Sequence, residues 1–218
     1  MSNIDKDIEQ AKRGLFRHLR RNIRSQSVLR AMERVPREQF VPPEARPMAY
    51  LDVPLSIGEG QTISQPFIVA MMTQALELRG YEKVLEVGTG SGYQAAILSL
   101  LVPQGQVITV ERVPALAESA GKALQQLGYD NVSVELAGTT LGAPHHAPFD
   151  AIIVTAASPQ VPNALVSQLA VGGRLVIPVG SRENQELIKV IRTDEGISMQ
   201  WLGPCRFVPL IGRGAFPG

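Results

Sequence analysis

The sequence is short of cysteine and of unbalanced charge, and each shortage removes a class of protein. Its one cysteine, Cys205, cannot close an internal disulfide. A stapled secreted scaffold is therefore excluded, and a reducing, cytoplasmic setting is expected. Lys and Arg number 21 against 20 Asp and Glu, a net charge of +1. Such a balance attracts no phosphate backbone and gives no electrostatic case for a nucleic-acid partner. No apolar run reaches the ~18 to 20 residues that span a bilayer, so no membrane association is expected. The start, Met1-Ser2-Asn3-Ile4-Asp5, lacks the charged and then apolar pattern of a signal peptide. Repeats and low-complexity tracts are missing as well. Hydrophobic residues make up 44% of 218, too many for a disordered chain and enough for one substantial domain.

What is abundant is glycine and proline, 20 and 16 residues. The N-terminal 60 residues read as helices broken by prolines. Ile8, Ala11, Leu15, Leu19 and Ile23 recur at helical spacing over Ile8 to Arg24. Lys12, Arg13, Arg17, Arg20, Arg21 and Arg24 fill the remaining positions and read, with His18, as a solvated face. A second helix covers Ser27 to Val35, and an irregular, proline-rich stretch follows.

Residues 61–180 then alternate helix and strand. Helices are expected over Phe67 to Leu78, Tyr93 to Leu101, Pro114 to Leu127 and Val161 to Leu169. Strands are expected at Lys83 to Val87, Gln106 to Val110, Asn131 to Leu136, Ala151 to Val154 and Arg174 to Val179. Glu186 to Arg192 and Ile197 to Arg206 alternate like an antiparallel pair, with Met199 and Trp201 read as core and Cys205 as a small packing residue. Interleaved strands that are apolar on both faces predict a Rossmann-like, doubly wound α/β domain. Its sheet is mostly parallel with helices on both faces, a helical N-terminal extension and antiparallel C-terminal strands (residues 181–218). One domain over 1–218 is expected.

The first core strand runs into Glu86-Val87-Gly88-Thr89-Gly90-Ser91-Gly92, with a helix behind it. Alternate glycines let the backbone turn sharply and a ligand approach closely, at the strand end where open parallel sheets bind ligands. The spacing is not the Gly-x-Gly-x-x-Gly of dinucleotide binders. Glu86 would repel a pyrophosphate and suits an ammonium, and Glu111, at the end of the second core strand, suits the two hydroxyls of a ribose. A nucleoside carrying an amino acid and no phosphate, S-adenosylmethionine, meets both demands.

These residues, with five further stretches, resemble the protein-L-isoaspartate O-methyltransferase family. The stretches are Val35 to Pro42, Gly60 to Pro66, Pro148 to Ala157, Gly172 to Gly180 and Arg206 to Leu210; the segment Thr62-Ile63-Ser64-Gln65-Pro66 and the tail Arg206-Phe207-Val208-Pro209-Leu210 are the most specific. The resemblance implies methyl transfer from S-adenosylmethionine to the free carboxylate of L-isoaspartyl residues in damaged proteins and peptides. The ester then closes to a succinimide, which starts repair. It implies Ser64 as the active-site residue. Gln61, Thr62, Ile63, Gln65, Phe207, Val208, Pro209 and Leu210 would form the peptide site. Glu86, Gly88, Thr89, Gly90, Ser91, Glu111, Ala137 and Gly138 would form the cofactor site, and the enzyme is expected to act as a monomer.

The family's aspartate beside the adenine amino group is replaced here by Gly138, and a frequent tryptophan by Ala143. Losing one such hydrogen bond costs roughly 0.5 to 3 kcal/mol; backbone groups of Ala137 and Gly138 or the Thr139 hydroxyl are the available substitutes. Two other readings stay open: a related methyltransferase with another carboxylate or small-molecule substrate, and a non-catalytic relative that has lost the cofactor. Thr155-Ala156-Ala157-Ser158-Pro159 does not match the tetrapeptide of base methylases. His145-His146 has no third ligand nearby in sequence and reads as surface loop, so no metal is expected.

Overall fold

The computed structural model describes residues 3–217; the chain start Met1-Ser2, read above for a leader, lies outside them. Helix α1 (Asn3–Leu19) and helix α2 (Gln26–Arg34) come first. The Ser25 side chain caps α2 by accepting from Val28 N. The helical spacing of Ile8 to Arg24 outlasts the helix itself: α1 stops at Leu19, a turn follows, and Ile23 is buried from that turn. Arg13, Arg17, Arg20, Arg21 and Arg24 are exposed as expected, while Lys12 is half-buried with its ammonium over the Tyr50 ring.

The proline-rich stretch is more ordered than its sequence suggests. Two 3₁₀ turns at Arg37–Phe40 and Pro43–Met48 lead into a hairpin of β1 (Leu55–Gly58) and β2 (Gln61–Ile63). Its short strands carry no alternating pattern long enough to read. Positive φ at Glu59 and Gly60 closes the turn.

The core follows in order: α3 (Pro66–Ala75), β3 (Lys83–Val87), α4 (Tyr93–Leu101), β4 (Gln106–Glu111), α5 (Pro114–Gln126), β5 (Val132–Leu136), β6 (Phe149–Val154), α6 (Asn163–Val166), β7 (Leu169–Gly180), β8 (Gln185–Thr193) and β9 (Gly196–Cys205). Seven strands form one sheet in the order β5-β4-β3-β6-β7-β8-β9. Pairing is parallel from β5 to β7 and antiparallel from β7 to β9. The order reverses between β3 and β6, so their carboxyl ends flank the switch point where such sheets open a crevice.

Alternate strand residues divide between two layers. Val84, Val107, Ala151, Ile153 and Val176 pack with Met72 of α3, Leu76 just beyond it and Leu98 of α4. Leu85, Val87, Ile108, Val110, Ile152, Val154 and Leu175 pack with Leu165 of α6, Phe149 and Leu141 on the other side. Three expectations need correction there. The helix read over Val161 to Leu169 shrinks to Asn163–Val166, because Leu169 leaves it to pair with Phe149. The strand read over Arg174 to Val179 begins earlier, at Leu169, and Gly172-Gly173 lies within an irregularity of it, where Phe149 and Ala151 face Leu169 and Arg174. Met199 and Trp201 are not core: β9 is the sheet edge, and they stand 42% and 64% exposed beside Ile197.

Candidate active site

Each core residue of the site sits at the carboxyl end of β3, β4 or β6. The glycine loop leaves β3 and folds back on β4, where Gly88 N and Thr89 N both donate to Val110 O at 2.9 and 3.3 Å. Gly88, Gly90 and Gly92 all have positive φ, +99°, +53° and +89°. At Gly88 this is a steric requirement, because an added Cβ would overlap Thr155 Oγ1. The Thr155 hydroxyl packs there by donating to Gly88 O at 2.6 Å, with Val87 O at 3.1 Å.

Glu86 is fully buried at the floor of the cavity. Its Oε2 accepts from the Thr109 hydroxyl at 2.6 Å, and Thr109 is in turn 2.6 Å from Thr89 Oγ1. Since Thr109 donates to the carboxyl, Thr89 donates to Thr109. Glu86 Oε1 has no partner among the described residues. Burial pushes the carboxyl up from 4.5 to about 8, opposed by the Thr109 hydrogen bond and reinforced by the nearby Glu111 charge. A buried, unpaired carboxyl oxygen facing a cavity wants a cation or a donor.

Glu111 ends β4 and is held from both sides: Oε2 accepts from Gly90 N and Oε1 from Val113 N, each at 2.9 Å. This fixes the carboxylate and leaves a further lone pair on each oxygen for a diol. The cavity wall continues through Ala137, Gly138, Thr139 and Thr140 of the strap after β5. That strap is pinned by the buried Gln168, whose Oε1 accepts from Ala143 N and whose Nε2 donates to Leu141 O. The orphaned Glu86 oxygen, the fixed Glu111 and the phosphate-averse acidic pair fit the aminoacyl nucleoside that the sequence suggested.

The opposite wall comes from outside the sheet. The hairpin lays Ile57 against Gly90, and β2 carries Gln61, Thr62, Ile63 and then Ser64 into the cavity wall. Pro66 starts α3 directly behind Ser64. Asp52 braces the same turn, accepting from Gln65 Nε2 at 3.0 Å and from Phe67 N at 2.8 Å. The tail closes the rim. Ala157 N donates to Val208 O at 2.8 Å and Leu210 N to Ala157 O at 2.7 Å, which seats Val208, Pro209 and Leu210 in the wall.

Of the residues singled out from sequence, Ser64, the glycine-loop residues, both glutamates, Ala137, Gly138, Gln61 to Ile63 and Val208 to Leu210 line one cavity. Gln65 and Phe207 do not. Gln65 turns away to Asp52, and the Phe207 backbone is clasped by Gln185 while its ring packs under the sheet. Thr155, Tyr93 and Arg112 also line the cavity, and Thr109 supports Glu86 from behind it; none of the four was singled out from the sequence. The signal for Thr109 was a lone hydroxyl inside Val107-Ile108-Thr109-Val110. Tyr93 is held by Arg37, a buried guanidinium 4.9 Å from its ring centroid that donates through Nε to Ala49 O at 2.7 Å. His145 and His146 lie on a surface turn, as read, but they are not alone there. Glu135, ten positions earlier, meets both rings, with Oε2 3.1 Å from His145 Nε2 and Oε1 2.7 Å from His146 Nε2.

The family model for protein-L-isoaspartate(D-aspartate) O-methyltransferase matches residues 10–215. A protein-L-isoaspartate O-methyltransferase 1 of Syntrophobacter fumaroxidans is 53% identical over 198 residues, 91% of this chain and 92% of that one. A Methanopyrus kandleri relative is 50% identical, with 99% and 98% covered. Among solved structures, a protein-L-isoaspartate O-methyltransferase superposes with a TM-score of 0.84 at 28% identity, over 94% of this chain and 67% of that one. A Plasmodium falciparum beta-aspartate methyltransferase in complex with S-adenosyl-L-homocysteine superposes at 0.77 and 26% identity, over 95% and 98%.

Proposed function

The chain belongs to the protein-L-isoaspartate(D-aspartate) O-methyltransferase family, and from that premise we propose that it methylates the free carboxylate of L-isoaspartyl residues in damaged proteins and peptides, with S-adenosylmethionine as donor. One observation carries the assignment of residues. The Ser64 turn and the Glu86–Glu111 pair, from distant parts of the chain, face one another across a single cavity at the switch point.

When bound, the cofactor supplies a methyl group on a positively charged sulfur. The residues of the chain do the rest. Glu86 Oε1 receives the ammonium, Glu111 takes the ribose hydroxyls, and Gly138 with Thr139 stands where the family aspartate meets the adenine. The accepting carboxylate is ionised at neutral pH, with an unperturbed pKa near ~3.5, so no general base is required. Ser64 holds one carboxylate oxygen by hydrogen bond and leaves the other aligned for in-line attack; catalysis is then mainly orientation and exclusion of water. The methyl ester closes to a succinimide unaided. Beyond chemistry, we take the protein to act as one domain, as a monomer and in the cytoplasm, without nucleic acid. Its net charge of +1 supports the last of these and its lone cysteine the cytoplasm; among the described residues no helix is long and apolar enough to cross a membrane.

Transfer of labelled methyl to paired peptides differing only in aspartyl or isoaspartyl linkage tests the function: label on the isoaspartyl peptide alone is expected, and label on neither sinks it. Ser64→Ala is expected to lower kcat by about 10- to 100-fold, the ~1.5 to 3 kcal/mol of a hydrogen bond to a charged group. Cofactor affinity and circular dichroism should be unchanged. Undiminished turnover would remove Ser64 from the mechanism.

Glu86 predicts a pH dependence with a definite sign. Its carboxyl is raised to about 8, so below that pH the ligand-free protein holds the proton. An ammonium partner favours the carboxylate, so binding at about pH 7 must expel a proton, and affinity must rise as pH climbs towards about 8. Calorimetry of S-adenosylhomocysteine in two buffers of different ionisation enthalpy reads that proton. Glu86→Gln should bind more weakly and release none; equal proton release by both proteins would contradict the assignment.

A further inference from the structure

We propose that Glu135, His145 and His146 form a binding site for a divalent transition metal ion of the zinc class, separate from the catalytic cavity. The three side chains come from β5 and from a 3₁₀ turn at Pro144–His146. Their ligand atoms all lie within 4.8 Å of one another. Two donors bound at ~2.1 Å to one ion stand roughly 3.0 to 3.4 Å apart, from octahedral to tetrahedral geometry. The carboxylate-to-imidazole separations are 3.1 and 2.7 Å, so the carboxylate and each ring already stand near that spacing. Two imidazoles and a carboxylate are a donor set suited to zinc, copper, nickel and iron(II), and unsuited to magnesium or calcium.

The arrangement is built by the backbone. His146 N donates to Ala143 O at 2.9 Å and Ala147 N to Pro144 O at 3.2 Å. The Ala143 end is locked by Gln168. The turn brings neighbouring rings to 4.3 Å between centroids, with both Nε2 atoms aimed at the same carboxylate. Without an ion, each contact requires a proton on Nε2, whereas an ion replaces both protons and draws the three groups together. His145 is 63% exposed in its side chain and the others about one third, which leaves room for water to complete the shell.

The test uses the full chain without an affinity tag, stripped by chelator and titrated with zinc alone by calorimetry. One equivalent should bind with Kd below about 10 µM. Cobalt(II) should compete for the same site and give visible absorption. Glu135→Gln, His145→Ala and His146→Ala should each weaken zinc by at least about tenfold, while His18→Ala and Cys205→Ser leave it unchanged. S-adenosylhomocysteine binding without metal verifies that each variant is folded. No saturable zinc binding, or binding that survives His146→Ala and Glu135→Gln, overturns the proposal, as does binding lost in Cys205→Ser.

Discussion

Gly88→Ala is expected to abolish measurable S-adenosylhomocysteine binding and to lower Tm by about 6 to 20 °C. Two effects add. The φ of +99° at Gly88 lies where an L side chain is strained, at roughly 1 to 3 kcal/mol. The new Cβ also overlaps Thr155 Oγ1. Thr155 must then leave Gly88 O and Val87 O, at about 1 kcal/mol for each bond. A total near 3 to 5 kcal/mol converts to that shift in a chain of this length at about 2 to 4 °C per kcal/mol. Binding fails for a local reason, since the moved loop no longer presents Gly90 N to Glu111. Thr155→Ala separates the two effects. It removes the overlap but not the φ strain, so the double variant should be more stable than Gly88→Ala alone. Differential scanning calorimetry with ligand titration reads both, and a Gly88→Ala protein with unchanged Tm and binding would contradict the loop geometry.

Glu111→Ala is expected to weaken S-adenosylhomocysteine binding by about two to four orders of magnitude. Hydrogen bonds to a charged acceptor contribute about 1.5 to 3 kcal/mol each, and a ribose offers two. The variant also strips acceptors from Gly90 N and Val113 N, which loosens the turn before α5. An analogue lacking both ribose hydroxyls isolates the direct contribution. It should bind the native protein far less tightly than S-adenosylhomocysteine does, and Glu111→Ala should scarcely distinguish the two ligands. A variant that still discriminates between them would place the ribose elsewhere.

The two glutamates show how differently site residues can be read from sequence. Both stand at the carboxyl ends of apolar strands, one before a run of glycines, and that placement alone implies a ligand. Thr109 and Thr155 serve the same loop, yet a single hydroxyl in an apolar strand looks like any tolerated threonine until its partner is in view. Gln65 and Phe207 fail for the opposite reason. Their neighbours in the motif line the cavity, but local turn geometry points Gln65 at Asp52, and Gln185 clasps the Phe207 backbone. Trp201 and Met199 alternate as buried residues do, and nothing local tells a strand that it is the edge of its sheet.

By itself, then, the sequence determined the alternation of elements, the cofactor loop and its acidic partners, because these rest on short-range rules: apolar periodicity, glycine where φ is positive, carboxylates where cations or diols bind. Only the tertiary structure decided what depends on long-range closure. It brought the hairpin and the tail over the strand ends to complete the cavity, and it buried Glu86 with no partner for one oxygen among the described residues. It also folded Glu135 against His145 and His146. The hairpin, the tail and the strand ends are far apart along the chain, and only their packing around one sheet brings them together.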